Sequence, residues 1–480
     1  MTIRLYNTFA KKEEEFLPKD QKRVTVYTCG PTVYGRPHIG NYSSFLMADL
    51  LVRFLEVSGY TVVHAKNITD VGHLLHDADQ GDDKVEKEAA KQKVHPLEVA
   101  KRYTQEYLDD EKALNMREPE YRPRATETIP EMLTIIKELL KKEHAYETSD
   151  GIYFSVPSFP LYGALSGNTV ENLHAGARID KREEKKHPAD FALWKKTVGS
   201  NAHHILRWEF ATGKISSSSG EDPKSGFPGW HIECSAMSRK HLGEQIDIHT
   251  GGEDNIFPHH ECEIAQSESS GKKPFVRIWL HKRRIDLGDA KMSKSLGNVL
   301  TLSDITQKGF HPLDLRYYLL SVHYRTQLKF TWKGLEDAHK ARRKILEWMD
   351  EGSTAAAGTP RPSSEGEWTK KFLNALGSDL NTPAALAVVF DCMNRTRSED
   401  AISPQELAKI SEFKLVVKQV FGCFESEAQS IPNEVQLLLD ERTKARAKKD
   451  FAASDRLREE IRALGYEVRD EGGEQTVKKL

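Results

Sequence analysis

An α/β fold that gives way to helices is what the sequence predicts, on three observations. A strand-like run from Val24 to Thr28 passes through a Gly/Pro-rich loop into a long amphipathic helix and then into a second strand-like run, Tyr60 to Ala65. That order is a βαβ unit, the building block of open parallel sheets. Two further strand-like runs, Gln245 to His249 and Val276 to His281, bracket a helical stretch far along the chain, and beyond Lys291 to Ser295 the composition turns helical.

At 480 residues the chain is too long for one hydrophobic core, and at roughly 150 residues per domain about three are expected. Hydrophobic residues make up 38% and charged residues 30%, a well-solvated composition. No apolar run approaches the roughly 20 residues a membrane helix needs. The opening, MTIRLYNTFAKKEEEF, lacks the apolar stretch of a signal peptide, so a cytoplasmic protein with no membrane partner is expected. Five cysteines are too few and too scattered for a disulfide framework, which leaves thiols or metal ligands. A net charge of −2 weighs against coating nucleic acid through bulk charge, so such a partner would need local basic surface.

In chain order, the loop from Thr28 to Asn41 reads TCGPTVYGRPHIGN and sits at the carboxyl end of a strand, where open α/β sheets bind ligands. Phe45, Leu46, Leu50, Leu51, Phe54 and Leu55 have helical spacing, and Gly59 is placed to end that helix. Its N-terminus offers free N–H groups to an anion such as a phosphate. Asn67 to Asp70 leads into a polar segment, 73–93, read as solvated loop and helix face. Helices are expected over 95–116 and 132–142. A hairpin follows, His144 to Glu147 with Gly151 to Val156, turning at Ser149-Asp150-Gly151. Within 197–225, Ser216 to Gly220 predicts a flexible loop, and the segment suggests no role. Thr250-Gly251-Gly252 reads as a turn that admits close backbone approach, Pro258 opens a helical run to Gln266, and residues 291–295 lie in a glycine-flanked loop. The stretch 350–367 is a linker. Helices are expected at 313–320, 383–393, 404–421, 434–446 and 452–464, with a short terminal segment after them.

His259 and Glu263 stand four apart on the helical run, so both can face one ion. Cys29 and Cys234 would complete a set of two thiolates, an imidazole and a carboxylate if the fold brings them there. His260, Glu261 and Cys262 adjoin the pair. Cys262, three residues after His259, lies near the same face, and spacing leaves open whether it is a ligand or a buried thiol.

Cys29 just ahead of His38-Ile39-Gly40-Asn41, and Lys291-Met292-Ser293-Lys294-Ser295 later in the chain, resemble the cysteinyl-tRNA synthetases, class I enzymes with HIGH and KMSKS signatures. Asp190 to Lys195 (DFALWK) and Leu313 to Leu320 (LDLRYYLL) extend the resemblance, which covers nearly the whole chain. It implies a Rossmann-like class I catalytic domain with an insertion, then an α-helical bundle and a small C-terminal domain. The implied divisions are 1–118 and 226–305 for the catalytic halves, 119–225 for the insertion, 306–340 for a stem-contact region, 341–430 for the bundle and 431–480 for anticodon binding.

The implied reaction is ATP-dependent ligation of L-cysteine to tRNA(Cys) through a cysteinyl adenylate. By the same resemblance His38 and Lys294 are catalytic, and Gly40, Asn41 and Lys291 join them in binding ATP with Mg2+. Thr69, Trp230 and His249 line the cysteine pocket. Cys29, Cys234, His259 and Glu263 hold one Zn2+ per chain, and the family's use of Glu263 favours the buried-thiol reading of Cys262. Such a zinc has a physical rationale. Packing separates cysteine from serine by only about 1–3 kcal/mol, whereas zinc takes a thiolate far more readily than a hydroxyl. A monomer is expected.

The chain departs from the family at Asn41 in place of a histidine, at Cys262 in place of a common asparagine, and at its tail, where Gln475 to Leu480 replaces a frequent Trp-Arg pair that could meet a base. A ligase joining cysteine to an amino sugar shares the catalytic core, but the long helical extension argues against it. A nonenzymatic zinc-containing RNA-binding protein would not require His38, Lys294 and all four ligand candidates.

Overall fold

The computed structural model describes residues 1–71, 83–169, 184–216, 222–287, 290–291, 299–351, 366–398, 402–425, 433–447, 450–471 and 474–479. Two compact units divide the chain, Met1–Phe424 and Glu425–Leu480. Most of the expected linker at 350–367, the loop tip 217–221 and residues 73–82 of the polar segment lie outside the described residues.

The larger unit opens with an antiparallel hairpin, β1 (Arg4–Asn7) and β2 (Lys12–Glu15). Then come β3 (Arg23–Thr28), α1 (Ile39–Val57) and β4 (Thr61–Lys66), the βαβ unit read from the sequence. Gly59, at φ +97°, supplies the left-handed step between α1 and β4 that a side chain would strain. Helices α2 (Lys84–Gln92), α3 (Pro96–Ala113) and α4 (Ile129–Lys141) follow. A separate antiparallel sheet follows, from β5 (Ala145–Glu147), β6 (Gly151–Phe154), β7 (Phe191–Lys196) and β8 (Gly226–Pro228), the last strand lying just past the expected end of the insertion at 225.

The chain returns through α5 (Trp230–Leu242), β9 (Ile246–Gly252), α6 (Glu261–Ser270) and β10 (Val276–Lys282). These strands complete a parallel sheet in the order β10, β9, β3, β4. Every residue of β3 after Arg23 is buried, as expected of a strand covered on both faces.

Thr250-Gly251-Gly252 is not a turn. All three residues pair with Leu280, His281 and Lys282 of β10, so the ladder carries the strand to Gly252. The glycines signal close packing instead, since a Cβ on Gly251 would meet the His260 ring at 2.6 Å. The stretch after β10 is also less purely helical than the sequence suggests. There β11 (Ile285–Leu287) pairs with β12 (Ala290–Lys291) and with β13 (Leu328–Phe330). Strands this short carry no readable periodicity.

The remaining helices of the larger unit are α7 (Leu302–Gln307), α8 (Pro312–Leu320), α9 (Trp332–Asp350), α10 (Glu367–Gly377), α11 (Thr382–Thr396) and α12 (Pro404–Phe421). A buried arginine joins them to the nucleotide fold. Arg316 of α8 bonds Asp49 of α1, the carbonyls of Leu114 and Asn115, and the Phe421 carbonyl that ends α12. Arg342 of α9 likewise bonds Asp314 and the Cys423 carbonyl.

The smaller unit has α13 (Asn433–Ala447), α14 (Phe451–Ala463) and an antiparallel hairpin, β14 (Tyr466–Glu471) with β15 (Glu474–Lys479). The hairpin is the short terminal segment expected after the last helix. Val435, Leu439, Ile461, Tyr466 and Val468 form the core of this unit. Part of the basic stretch 442–458 faces inward, where Arg442 is buried and braces Asp470 and Gln475. Among the described residues no helix is long and apolar enough to cross a membrane.

Burial alone would raise the Asp49 carboxyl, but Arg316 and then Arg53 outweigh it and hold it at about 2. The stability this gives is full above the unfolded-chain value of about 4 and is lost as pH falls toward 2. Asp49→Ala should therefore cost ~3–5 kcal/mol at pH 7, because Arg316 is left without its counter-charge. Denaturant midpoints should show this loss, a smaller one near pH 2, and partial recovery in the Asp49→Ala, Arg316→Met double variant.

Candidate active site

Cys29 leaves the carboxyl end of β3, where its N–H bonds the Thr250 carbonyl of β9. Gly30 follows, and its N–H bonds Asn67 Oδ1 at 2.8 Å. A Cβ on Gly30 would lie 1.7 Å from the Asn67 carbonyl oxygen, so only glycine lets the chain turn here. Cys234 projects from α5. His259 sits in a widened turn just before α6, and Glu263 in the first turn of α6.

The structure brings these four together. The two sulfurs are 3.8 Å apart, Cys29 Sγ is 3.7 Å from Glu263 Oε1, and His259 Nε2 is 3.0 Å from the same oxygen. Their donor atoms all lie within 4.8 Å of one another. A second set overlaps the first, with His249 and His260 replacing Cys234 and His259. The sequence marked His260 only as a neighbour, yet its Nε2 is 3.3 Å from Cys29 Sγ. Cys262 belongs to neither set among the described residues, and its sulfur meets the Tyr162 hydroxyl at 3.5 Å.

More histidines hold these donors in place. His231 Nδ1 meets His259 Nδ1 at 3.0 Å, which turns His259 Nε2 toward Glu263. His260 Nδ1 meets His281 Nε2 at 2.7 Å, and His281 Nδ1 meets the Thr8 hydroxyl. Sequence spacing gave no sign of His231 or His281, because His231 becomes a neighbour only through the packing of α5 and His281 only through the sheet. Two of the residues expected to line the cysteine pocket, Trp230 and His249, touch these donors, and the third, Thr69, meets Glu233. Trp230 stacks on His259, with centroids 4.4 Å apart. His249 Nε2 is 3.1 Å from Glu263 Oε2, and the Thr69 hydroxyl donates to Glu233 at 3.0 Å.

Apart from the half-buried Trp230 and Thr8 these side chains are buried, and the protonation states follow. Burial would raise the Glu263 carboxyl, but His249 and His259 outweigh it and bring it down to about 2. Burial would lower His259, but Glu263 and Cys234 lift it to about 10. The hydrogen bond from Cys29 brings the Cys234 thiol down to about 6, while burial and then Cys234 push Cys29 up. One proton is in effect shared by two sulfurs, as in a coupled pair. Burial and then His249 keep His260 neutral. Two sulfurs, an imidazole and a carboxylate form a donor set of borderline softness that suits a metal ion. The buried Nδ1 of His249 has no partner among the described residues, which leaves one further donor or acceptor inside the site.

A cavity runs from Cys29 to the N-terminus of α1, where His38, Gly40 and Asn41 line it opposite Gly252 and Asp254. His38 caps α1 reciprocally. Its Nδ1 accepts from the Asn41 N–H at 3.2 Å, and Asn41 Oδ1 accepts from the His38 N–H at 3.1 Å. The family's final histidine of this signature is thus replaced here by a capping residue. A Cβ on Gly40 would stand 2.9 Å from the His38 ring, so this glycine leaves room for the imidazole. The backbone of Lys291 pairs with Asp286, and Lys294 lies outside the described residues.

Comparison with known proteins identifies the family. Residues 15–340 match the family model for the catalytic domain of class I (C) tRNA synthetases, residues 371–425 a DALR domain, and residues 428–477 the cysteinyl-tRNA ligase anticodon-binding domain. The cysteine–tRNA ligase of Thermus thermophilus is 41% identical over 486 residues, and that of Chlorobium chlorochromatii is 39% identical over 486 residues. Each match spans 98% of both chains. Among solved structures, Mycobacterium tuberculosis methionyl-tRNA synthetase bound by methionyl-adenylate aligns with TM-score 0.53 at 14% identity, over 84% of this chain and 90% of that one. The Agrobacterium radiobacter K84 agnB2 LeuRS–tRNA–LeuAMS complex aligns with TM-score 0.58 at 11% identity, over 86% of each chain. These two likenesses establish the fold alone. With a donor set that could hold a metal ion beside a capped helix terminus, and relatives matched from end to end, the chain belongs to the cysteinyl-tRNA synthetases, class I cysteine–tRNA ligases.

Proposed function

We propose that this chain joins L-cysteine to tRNA(Cys) in two steps at the cavity between Cys29 and the α1 N-terminus. The observation that carries the reading is the opening of the Cys29 end of the donor cluster and the His38 end of α1 onto the same cavity. One end suits a thiol and the other a phosphate.

In the first step a carboxylate oxygen of cysteine attacks the α-phosphorus of ATP. A C–O–P bond forms, the bond to the β-phosphate bridging oxygen breaks, and pyrophosphate leaves with cysteinyl adenylate behind. Charge shifts among phosphate oxygens, so catalysis is mainly placement and electrostatic stabilisation. The α1 N-terminus faces these oxygens. Capping fixes the His38 ring against α1 before substrate arrives, and Asn41 serves ATP by holding that cap. Lys291 and Lys294 supply positive charge, and Mg2+ accompanies the triphosphate. In the second step a hydroxyl of the terminal tRNA adenosine attacks the cysteinyl carbonyl, and AMP leaves.

At the other end Cys29, Cys234, His259 and Glu263 would hold one Zn2+, which supplies a soft Lewis acid for the substrate sulfur and so separates cysteine from serine. Thr69, Trp230 and His249 wall the same end. The chain is read as a cytoplasmic monomer, with 431–480 meeting the anticodon and 306–340 the acceptor stem.

Cysteine-dependent ATP–pyrophosphate exchange on purified protein is the direct test, with serine as control and metal determined on the same sample. Exchange with cysteine alone and one zinc per chain is expected, and no exchange from folded, zinc-loaded protein would refute the reading. Lys294→Ala should slow adenylate formation on the order of 10²–10³-fold with zinc content unchanged, as loss of one transition-state donor does. An unchanged single-turnover rate would remove Lys294 from the mechanism. Cys29→Ser should lower zinc content and raise the KM for cysteine together, and retention of both would overturn the ligand set.

A further inference from the structure

Lys282 is the last residue of β10 and lies opposite Gly252 in the sheet register. It lines the same cavity as His38 and Gly40, yet it is only 3% exposed. Its Nζ has no hydrogen-bond partner among the described residues. A buried ammonium without a partner is costly, and a fold retains one only where something compensates it. The carboxylate that acts on it, Glu253, is already engaged. It pairs with Arg283 at 3.0 Å and lies 3.7 Å from Arg284. Burial draws the Lys282 ammonium down to about 8, and Glu253 offsets this in part.

The position of Lys282 indicates what it meets. On the ligase reading, His38 and the N-terminus of α1 mark the phosphate end of the cavity. Lys282 stands farther along α1, where it also borders a small hollow with Ser43, Met47 and Leu50. Resting on the ligase reading above, we propose that Lys282 is a nucleotide-binding residue, donating a hydrogen bond to the nucleoside half of ATP, at a ribose oxygen or purine ring nitrogen. The same donor would act on the adenylate after pyrophosphate has left, because the nucleoside is common to both.

Lys282→Met keeps the length of the side chain and removes the ammonium. In the full chain it should raise the KM for ATP in pyrophosphate exchange on the order of 10- to 100-fold, as loss of a charged hydrogen bond does, and leave the KM for cysteine unchanged. Adenosine binding measured by calorimetry should weaken by the same factor. The thermal midpoint should hold or rise, because an unpaired buried charge has been removed. Loss of ATP affinity without loss of adenosine affinity would place the ammonium on a phosphate and overturn the proposal. So would an unchanged KM for ATP.

Ser43 separates function from structure, since its hydroxyl is also buried without a partner among the described residues. If Lys282 serves only to pair with Ser43 through water, Ser43→Ala and Lys282→Met should both lower the midpoint and leave adenosine binding intact, which would refute the proposal. The proposal expects Ser43→Ala to bind adenosine normally. Failure of wild-type exchange would count against the ligase reading, whereas adenosine calorimetry still decides the role of Lys282.

Discussion

Because β3 is paired in parallel on both sides, with β4 at one edge and β9 at the other, its carboxyl end is fixed at the point where the order of the sheet reverses. Open α/β sheets bind ligands at such a point, since the connecting segments leave in opposite directions and open a crevice. Here the crevice receives Cys29 directly from the strand. The same pairing brings β9 alongside and so places His249 beneath the donor cluster and Gly252 beside α1. Neither the Cys29 end nor the α1 end of the cavity would exist without that double ladder.

The ladder also explains how so many ionisable groups share one small volume. Glu263 is fully buried, and an isolated buried carboxylate would take up a proton. It stays charged because its two oxygens face different imidazoles, His259 at Oε1 and His249 at Oε2. Those rings are held in turn, one stacked on Trp230 and the other on Trp279. The aromatic residues keep water out while the imidazoles supply charge and hydrogen bonds. A metal ion bound there would replace protons in a frame already organised around negative charge.

The sequence displayed the local parts of this design and concealed the distant ones. The βαβ unit was legible because six apolar residues of α1 recur at helical spacing and Gly59 stops the helix, although α1 proves buried on nearly every side rather than amphipathic. His259 and Glu263 were legible as a pair because four residues make one helical turn. What joins Cys29 to Cys234 is tertiary. So are the roles of His260 and His281, which depend on how β9 and β10 align. Thr250 to Gly252 misled for a related reason, because paired glycines signal a turn unless a neighbouring strand continues the ladder. Short strands such as β11 and β13, and the terminal hairpin, were hidden because three to six residues offer too little alternation to set against charge-rich surroundings.

The insertion is where structure adds most to the sequence. No role could be read from residues 197–225, yet His204 is buried there, with Nε2 3.0 Å from Asp83 Oδ2 and its ring stacked on Phe227. Glu86 accepts from the N–H groups of Ile205 and Leu206. Asp83 caps α2, so two acidic residues at the start of that helix are tied to the insertion. On its other side α2 packs Val85 and Ala89 with Tyr34, a residue of the signature loop, and Lys84 lies over the Tyr34 ring. The segment is thus one end of a brace whose other end is the loop that delivers His38. A loop rich in Gly and Pro cannot hold a side chain such as His38 in place by its own hydrogen bonds. Here the needed rigidity comes from a helix clamped between the loop and the inserted domain, just as the His38–Asn41 cap holds the loop at its far end.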